Sequence, residues 1–442
     1  MFSHIKNSSS KILLAIILLI GFQQFPVLYV GGSLKLYEVL GLTLLVLYGI
    51  KIRKDLLITL LFFFFIVSPV FSLLSFYIYD DVDSYYRTYP IAKNTFRFNI
   101  YIFPLLQLLF MWINYVVLYN IYYNRDIYRR FDTLLKWIVI TGTVISCYSV
   151  LAMFTGDPIS HLPNFIQNKH VYEFRSSGLS QEPSNYILYQ GWNVLFCWCI
   201  RHSFTRIKWI VIWGINILSL LLTLSSTLIL FVGVIGVIIF TFSRFRVKLV
   251  YVSAICVLLY TSFITISKFI DVELLHYVMV QKVEDFIWGK EDAGGSGGFR
   301  HYESSLGWII YKENPVVGVG VGNSNYFMHL AAEKSEIIPM DEQLSETSFP
   351  PNTFSCVFAE QGTIGGCVFL LMLFTIFLRA WKGRENSYGK VFLTAILFNI
   401  GCMLMIAPQY SMYLWLYMFM VMGYYRNVRM SLMLNYEDSN RL

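Results

Sequence analysis

An all-α polytopic membrane protein is the fold class that this chain of 442 residues predicts, and three observations carry the prediction. Hydrophobic residues make up 56% of the chain and charged residues only 14%, whereas an ordinary soluble domain is about a quarter charged. Apolar runs approaching the roughly 20 residues that a spanning helix needs recur along the whole length. Basic residues gather in alternate connections between those runs, as they do on the cytoplasmic side of membrane proteins. The formal net charge of +7 is thereby explained by topology, and no nucleic-acid partner is expected.

In chain order the expected spans are 12–30, 36–50, 56–77, 100–122, 134–154, 184–200, 209–224, 227–242, 249–266, 353–378, 391–407 and 410–425, about twelve transmembrane helices. With a cytoplasmic N-terminus, the basic loops all fall on one side: "KIRK" (Lys51 to Lys54), "NRDIYRR" (Arg125 to Arg130), "RHSFTRIK" (Arg201 to Lys208), "SRFRVK" (Arg244 to Lys248), "RAWKGR" (Arg379 to Arg384) and "RNVR" (Arg426 to Arg429). Both termini are then cytoplasmic, and 426–442 forms a cytoplasmic tail. Lys6 and Lys11 could open a signal peptide, but no small-x-small cleavage site follows, so a retained first helix is expected. Most cysteines sit inside spans as small core fillers, and Cys197 and Cys199, two apart on a helix, face different ways and make no metal site.

Three outer connections are long: 80–99, 155–183 and 269–350. They divide the chain into helices one to nine (1–268), a large outer loop (269–350) and helices ten to twelve (351–425). A connection of the last loop's length is functional or disordered, and its many aromatic and aliphatic residues argue for a folded one. Within it, Tyr302, Leu306, Ile309 and Ile310 recur at helical spacing and predict an amphipathic helix over 299–314, with Glu303 and Lys312 on more polar faces. The helix follows the glycine-rich "AGGSGG" (Ala293 to Gly298) and stops before Pro315. The next segment, "ENPVVGVGVGN" (Glu313 to Asn323), resembles a nucleotide loop only superficially, because a dinucleotide site needs a strand before its glycines.

Chemistry-bearing residues cluster in the outer segments. "EFRSSGLSQEPSNY" carries Arg175, Gly178 and Glu182; the surface helix begins with Arg300; and Gly318, Gly320 and Gly322 are capped by Asn323. Guanidinium forks and exposed backbone N–H groups both suit a diphosphate at the outer membrane surface. The plainer alternative makes the arginines interfacial anchors paired with Glu182 or Glu303, and the glycines a close-packed loop. Glu360 lies inside an apolar run, where a carboxylate is functional or helix-packing by default. His301 and His329 are the histidines available in the long loop.

The ordered set "RSSGLSQEPS", "TLSST", "FRHYESSLGWIIYKENPVVGVGVGN" and "PPNTFSCVFAEQGTIGG" resembles the O-antigen polymerase and ligase superfamily of bacterial envelope glycan assembly, over about Arg175 to Gly366. The resemblance implies an enzyme of the bacterial cytoplasmic (inner) membrane, in which a sugar hydroxyl attacks a glycan carried on undecaprenyl diphosphate, without metal, cofactor or nucleotide sugar. It implies Arg175, Arg300 and Glu360 as catalytic residues. Substrate would be bound by Gly178, Glu182, His301, Asn314, Gly318, Gly320, Gly322, Asn323 and Asn352. The implied partners are the lipid-linked oligosaccharide, membrane lipid and a chain-length regulator. Ligases typically carry a His-Asn before the tenth span, where this chain has Pro351-Asn352, which favours a repeat-unit polymerase over a ligase. A flippase would have evenly short loops, and a lipid-phosphosugar transferase an acidic first outer loop; neither pattern is present.

Overall fold

The structure is a computed structural model, and the residues it describes are 8–23, 27–29, 33–79, 102–155, 176–180, 182–223, 225–242, 248, 296–335, 344, 348–386, 388–406 and 410–439. The expected ninth span (249–266), the outer loop 80–99 and Arg175 lie outside them. Apart from turns and connections, the described residues are helical with one exception. The apolar run 12–30 is not a single helix: α1 (Ser8–Leu19) ends early, and β1 (Val27–Tyr29) pairs antiparallel with β2 (Ser33–Lys35). Pro26 and the Gly31-Gly32 pair, all poor in a helix interior, account for this departure from the all-α expectation. Glu38 then accepts from the Lys35 N–H at 2.8 Å and pairs with its ammonium at 3.2 Å, at the start of α2 (Leu36–Tyr48).

Among the described residues, four apolar stretches are long enough to cross a membrane: Leu56–Ile78, Ile102–Tyr123, Phe131–Ala152 and Thr353–Glu385. The first is composite, with α3 (Leu56–Phe62) and α4 (Ser68–Tyr79) joined by a π-helical turn over Phe63–Val67. Pro69, which has no N–H and crowds the preceding turn, stands directly after that bulge. The others are α5 (Ile102–Tyr123), followed by the short α6 (Arg125–Tyr128), then α7 (Phe131–Thr155) and, later in the chain, α13 (Thr353–Lys382). Between them come α8 (Pro183–Cys199), α9 (Arg206–Leu221), α10 (Ser226–Phe242), the surface helix α11 (Ser296–Glu313) and α12 (Ser324–Glu333). The chain continues with α14 (Gly389–Cys402) and α15 (Met412–Ser439). Rings fill the centre: Trp415 is fully buried and packs within 5.4–6.1 Å of Phe64, Phe65 and Phe369.

The basic segments share one end of the bundle. Arg379 pairs with Asp55 at 3.1 Å, Arg53 lies over Tyr123 at the end of α5, and Asp132 receives Tyr388 and lies 3.7 Å from His202. Asn352, at the other end of α13, is separated from Arg379 by about 40 Å of helix at ~1.5 Å per residue.

That helix is broken. Gly362 has φ 61°, and the two N–H groups beyond it, on Thr363 and Ile364, leave the helix and donate to the carbonyls of Pro315 (2.8 Å) and Val316 (3.2 Å). The carbonyls they would have met, on Ala359 and Glu360, instead accept from Val319 and Gly320, each at 3.0 Å. The Glu360 carbonyl also accepts from the Ser72 hydroxyl on α4. The Pro315–Gly320 backbone thus acts as a short splint that satisfies all four displaced groups. Without it each would cost roughly 1–3 kcal/mol, and more in hydrocarbon. The fit requires glycine on both sides: a Cβ at Gly318 would stand 2.4 Å from the Glu360 carbonyl carbon, and one at Gly362 2.4 Å from the Val316 oxygen.

Gly318→Ala and Gly362→Ala are therefore each expected to lower stability by more than about 2 kcal/mol. Gly214→Ala on α9, where the added methyl meets open space, should be neutral or slightly stabilising, by about 0.5–1 kcal/mol. Thermal unfolding of detergent-purified protein measures all three, and equal melting points for Gly318→Ala and Gly214→Ala would refute the splint.

Candidate functional site

The motif segments converge at the end of the bundle opposite the basic loops. "RSSGLSQEPS" is tied down from below: Ser176 N donates to the Leu222 carbonyl at 2.9 Å, Ser176 and Ser149 hydroxyls bond, and Gly178 N donates to Ser149 Oγ at 3.0 Å. Beneath it runs a buried polar network across α7, α8 and α9. Tyr186 Oη bonds Ser219 Oγ (2.6 Å) and Ser146 Oγ (3.2 Å); Ser146 donates to Asn216 Oδ1 (3.1 Å), which also accepts from Gln190 (2.6 Å). Interhelical hydrogen bonds of this kind fix helix positions in an apolar surrounding. Gly178 rests directly on the Tyr186 ring, with no space for a side chain.

Glu182 follows as the N-terminal flank of α8, with Pro183 at the first helical position. Its Oε2 accepts from Arg300 Nη2 and from Ser184 Oγ, both at 3.1 Å. Arg300 also donates through Nη1 to the Met405 carbonyl at 3.5 Å, in the segment after α14. The same segment holds the start of α13, because Thr353 donates to the carbonyls of Met403 (2.8 Å) and Ile406 (2.5 Å). Arg300 therefore sits where α8, α11, α13 and the 403–406 segment meet. Its side chain is 37% exposed and that of Glu182 39%, so the pair is open to a competing anion. Of the two sequence expectations for Arg300, the Glu182 ion pair belongs to the plainer one.

The surface helix starts at Ser296, three residues before its expected start, and buries Tyr302, Leu306 and Ile310 against α12, Val319, Ala359 and Phe76. Glu303, expected on a polar face, is instead buried, and His301 is half-buried beside Arg300. Gly307 lets α11 lie against Pro350 and Ser355 at the head of α13.

Several expected ligand-binding residues have structural occupations. Asn314 ends α11, and its carbonyl accepts from Gly318 N at 3.1 Å. The N–H of Gly320 bonds Glu360, that of Gly322 bonds Tyr410 Oη at 3.0 Å, and that of Asn323 bonds the Gly320 carbonyl at 3.1 Å. An anion nest built on Gly318, Gly320 and Gly322 is thus contradicted: their amides are taken by the fold. Asn323 is fully buried and donates its side-chain amide to the Val319 carbonyl at 2.9 Å. Asn352 caps α13, its Oδ1 accepting from Phe354 N (2.8 Å) and Ser355 N (3.4 Å). Glu360 is buried at the helix break with Oε1 accepting from Ser324 Oγ at 2.8 Å. His329 lies on α12. Sequence reading missed Ser324 and the Met405 carbonyl; the first adjoins Asn323 in the glycine motif, and a backbone acceptor leaves no sequence mark.

A helical bundle with an arginine–carboxylate pair at one end, braced by a spliced apolar helix, defines a membrane-embedded class of protein. Residues 195–370 match the family model described as O-antigen ligase, so this part of the chain is similar to that family. The matched stretch contains Arg300, the glycine splint, Asn352 and Glu360, and begins after Glu182. No curated protein matches the chain.

Loss of the α13 cap through Asn352→Ala should cost about 1 kcal/mol of stability, and Asn352→Asp should recover most of it. A melting-point comparison checks this; a stable but inactive Asn352→Ala would instead assign the residue to substrate.

Proposed function

We propose that this chain joins undecaprenyl-diphosphate-linked oligosaccharide repeat units of an O antigen, capsule or exopolysaccharide at the outer leaflet of the bacterial cytoplasmic membrane. In this reading the chain crosses that membrane about twelve times, and both termini are cytoplasmic. The observation that supports it most is the half-exposed Arg300, whose guanidinium is shared between a displaceable carboxylate and a carbonyl at the junction of the motif segments. A guanidinium fork matches two phosphate oxygens, and a dianionic diphosphate competes for it more strongly than one carboxylate.

The reaction then follows from the pair. Arg300, with Arg175 brought from the segment before Ser176, holds the donor's diphosphate and stabilises the charge that develops as the bond between the anomeric carbon and the phosphate oxygen breaks. The acceptor sugar's hydroxyl forms the new bond to that carbon, and lipid diphosphate departs. Glu182, released from Arg300 when the diphosphate binds, takes the hydroxyl proton as general base. Neither a metal nor a nucleotide sugar enters the scheme. Glu360 acts at a distance from this exchange, by holding α12 to the spliced helix through Ser324. A chain-length regulator is a natural partner for such a polymerase. Transfer of finished glycan to lipid A core is the second reading, and the family match is compatible with either.

In a polymerase-null strain, Arg300→Ala should reduce polymer formation by roughly 100-fold or more at equal protein level. Arg300→Lys should rescue little, since an ammonium cannot present two parallel donors. Single-repeat glycan on lipid A core, with unprocessed lipid-linked units at the outer face, is the polymerase outcome. Loss of all glycan transfer to core identifies a ligase, and full polymer ladders from Arg300→Ala refute the site.

A further inference from the structure

A second charged cluster lies at the opposite, basic end of the bundle. Asp55 caps α3 with Oδ1, which accepts from Leu57 N (3.0 Å) and Ile58 N (3.4 Å) and also from Arg379 Nη2 at 3.1 Å. Its Oδ2 accepts from Tyr122 Oη at 2.9 Å, and Arg379 Nη1 reaches the same phenol at 2.5 Å. The carboxylate is therefore saturated by one guanidinium, one hydroxyl and two helix amides.

Two further arginines converge on the same place with no share in that carboxylate. The guanidinium carbons of Arg53 and Arg426 lie 4.7 and 4.4 Å from the ring centre of Tyr123, and that of Arg426 lies 5.6 Å from Tyr122. Arg426 Nη1 is enclosed and has no hydrogen-bond partner. A ring face offers each cation about 0.5–2 kcal/mol, but it supplies no acceptor to an enclosed N–H and does not relieve the repulsion between two like charges. Two guanidinium forks over one aromatic ring, with the neighbouring carboxylate already occupied, make an incomplete anion site. Its missing component is a compact group with several acceptor oxygens.

We propose that Arg53, Arg379 and Arg426, arranged around Tyr122 and Tyr123, bind the phosphate of an anionic phospholipid headgroup at the basic face of the membrane. A phosphodiester carries the needed charge and oxygens, and this end of the bundle, where the basic loops gather, is the headgroup level on that side. Its ligand differs from the diphosphate proposed for Arg300: it is a resident lipid that ties the segment before α3 to the end of α13 and the middle of α15, and it stands independently of that reading.

The test uses the full chain, delipidated in a non-ionic detergent. Phosphatidylglycerol should raise the melting temperature of the wild type and remain bound in native mass spectrometry, whereas net-neutral phosphatidylcholine should do neither. The R53Q/R426Q variant, which leaves the Asp55–Arg379 pair intact, should bind phosphatidylglycerol at least roughly tenfold more weakly. Arg384→Gln, whose guanidinium stacks on Trp381 outside the cluster, should bind it normally. Stabilisation of the wild type by millimolar inorganic phosphate alone would support the phosphate site and assign its source to free phosphate. Equal effects of the two lipids on the wild type, or unaltered binding by R53Q/R426Q, would overturn the proposal. If the double variant does not fold, the wild-type lipid comparison decides the matter alone.

Discussion

Backbone groups inside a membrane must find partners within the protein, and in α13 that constraint is met from outside the helix. Four main-chain groups around Gly362 that would pair with one another in a continuous helix are paired with Pro315, Val316, Val319 and Gly320. The surface helix α11 leads directly into this splint and α12 leaves it, so both are positioned by the same four bonds. Arg300, near the start of α11, inherits its location from the joint. Helices α11 and α12 are held to the bundle by main-chain chemistry before any side chain is considered.

A second set of bonds fixes the partner of Arg300. The Ser149–Ser176 contact and the Tyr186, Asn216 and Gln190 network hold the segment that leads into Glu182, while Met403 and Ile406 secure both the head of α13 and the loop that offers its Met405 carbonyl to Arg300. Three parts of the chain, distant in sequence, thus present a cation with one replaceable ligand. An exposed ion pair of this kind contributes little to stability, about 0–1 kcal/mol, so its displacement by a substrate anion costs the fold little.

Much of this was legible from residues. The apolar runs marked the long helices, the alternate basic loops their common end, and the spacing of Tyr302, Leu306 and Ile310 the buried face of α11. The hairpin at Val27–Lys35 was hidden because its residues are as apolar as a span and only Pro26 and two glycines interrupt it. The break at Gly362 was illegible for a different reason: glycine is ordinary in membrane helices, and what opens this one is a segment over forty residues earlier. The Arg300–Glu182 pair, 118 residues apart, could be named as an option from charge alone, but its choice over Glu303 depended on the tertiary fold. The glycines were correctly marked as unusual, yet whether their amides faced a ligand or a helix was a matter of contacts that a single sequence does not encode.

The splice in α13 has a consequence for how such a protein changes over time. Its fit specifies glycine at a few points and otherwise reads only peptide groups, so Val316, which is 61% exposed, is free to become almost any residue. Exposed side chains around the arginine can then be exchanged, while the joint that positions it stays the same. Scaffold and exposed surface thereby become separately mutable.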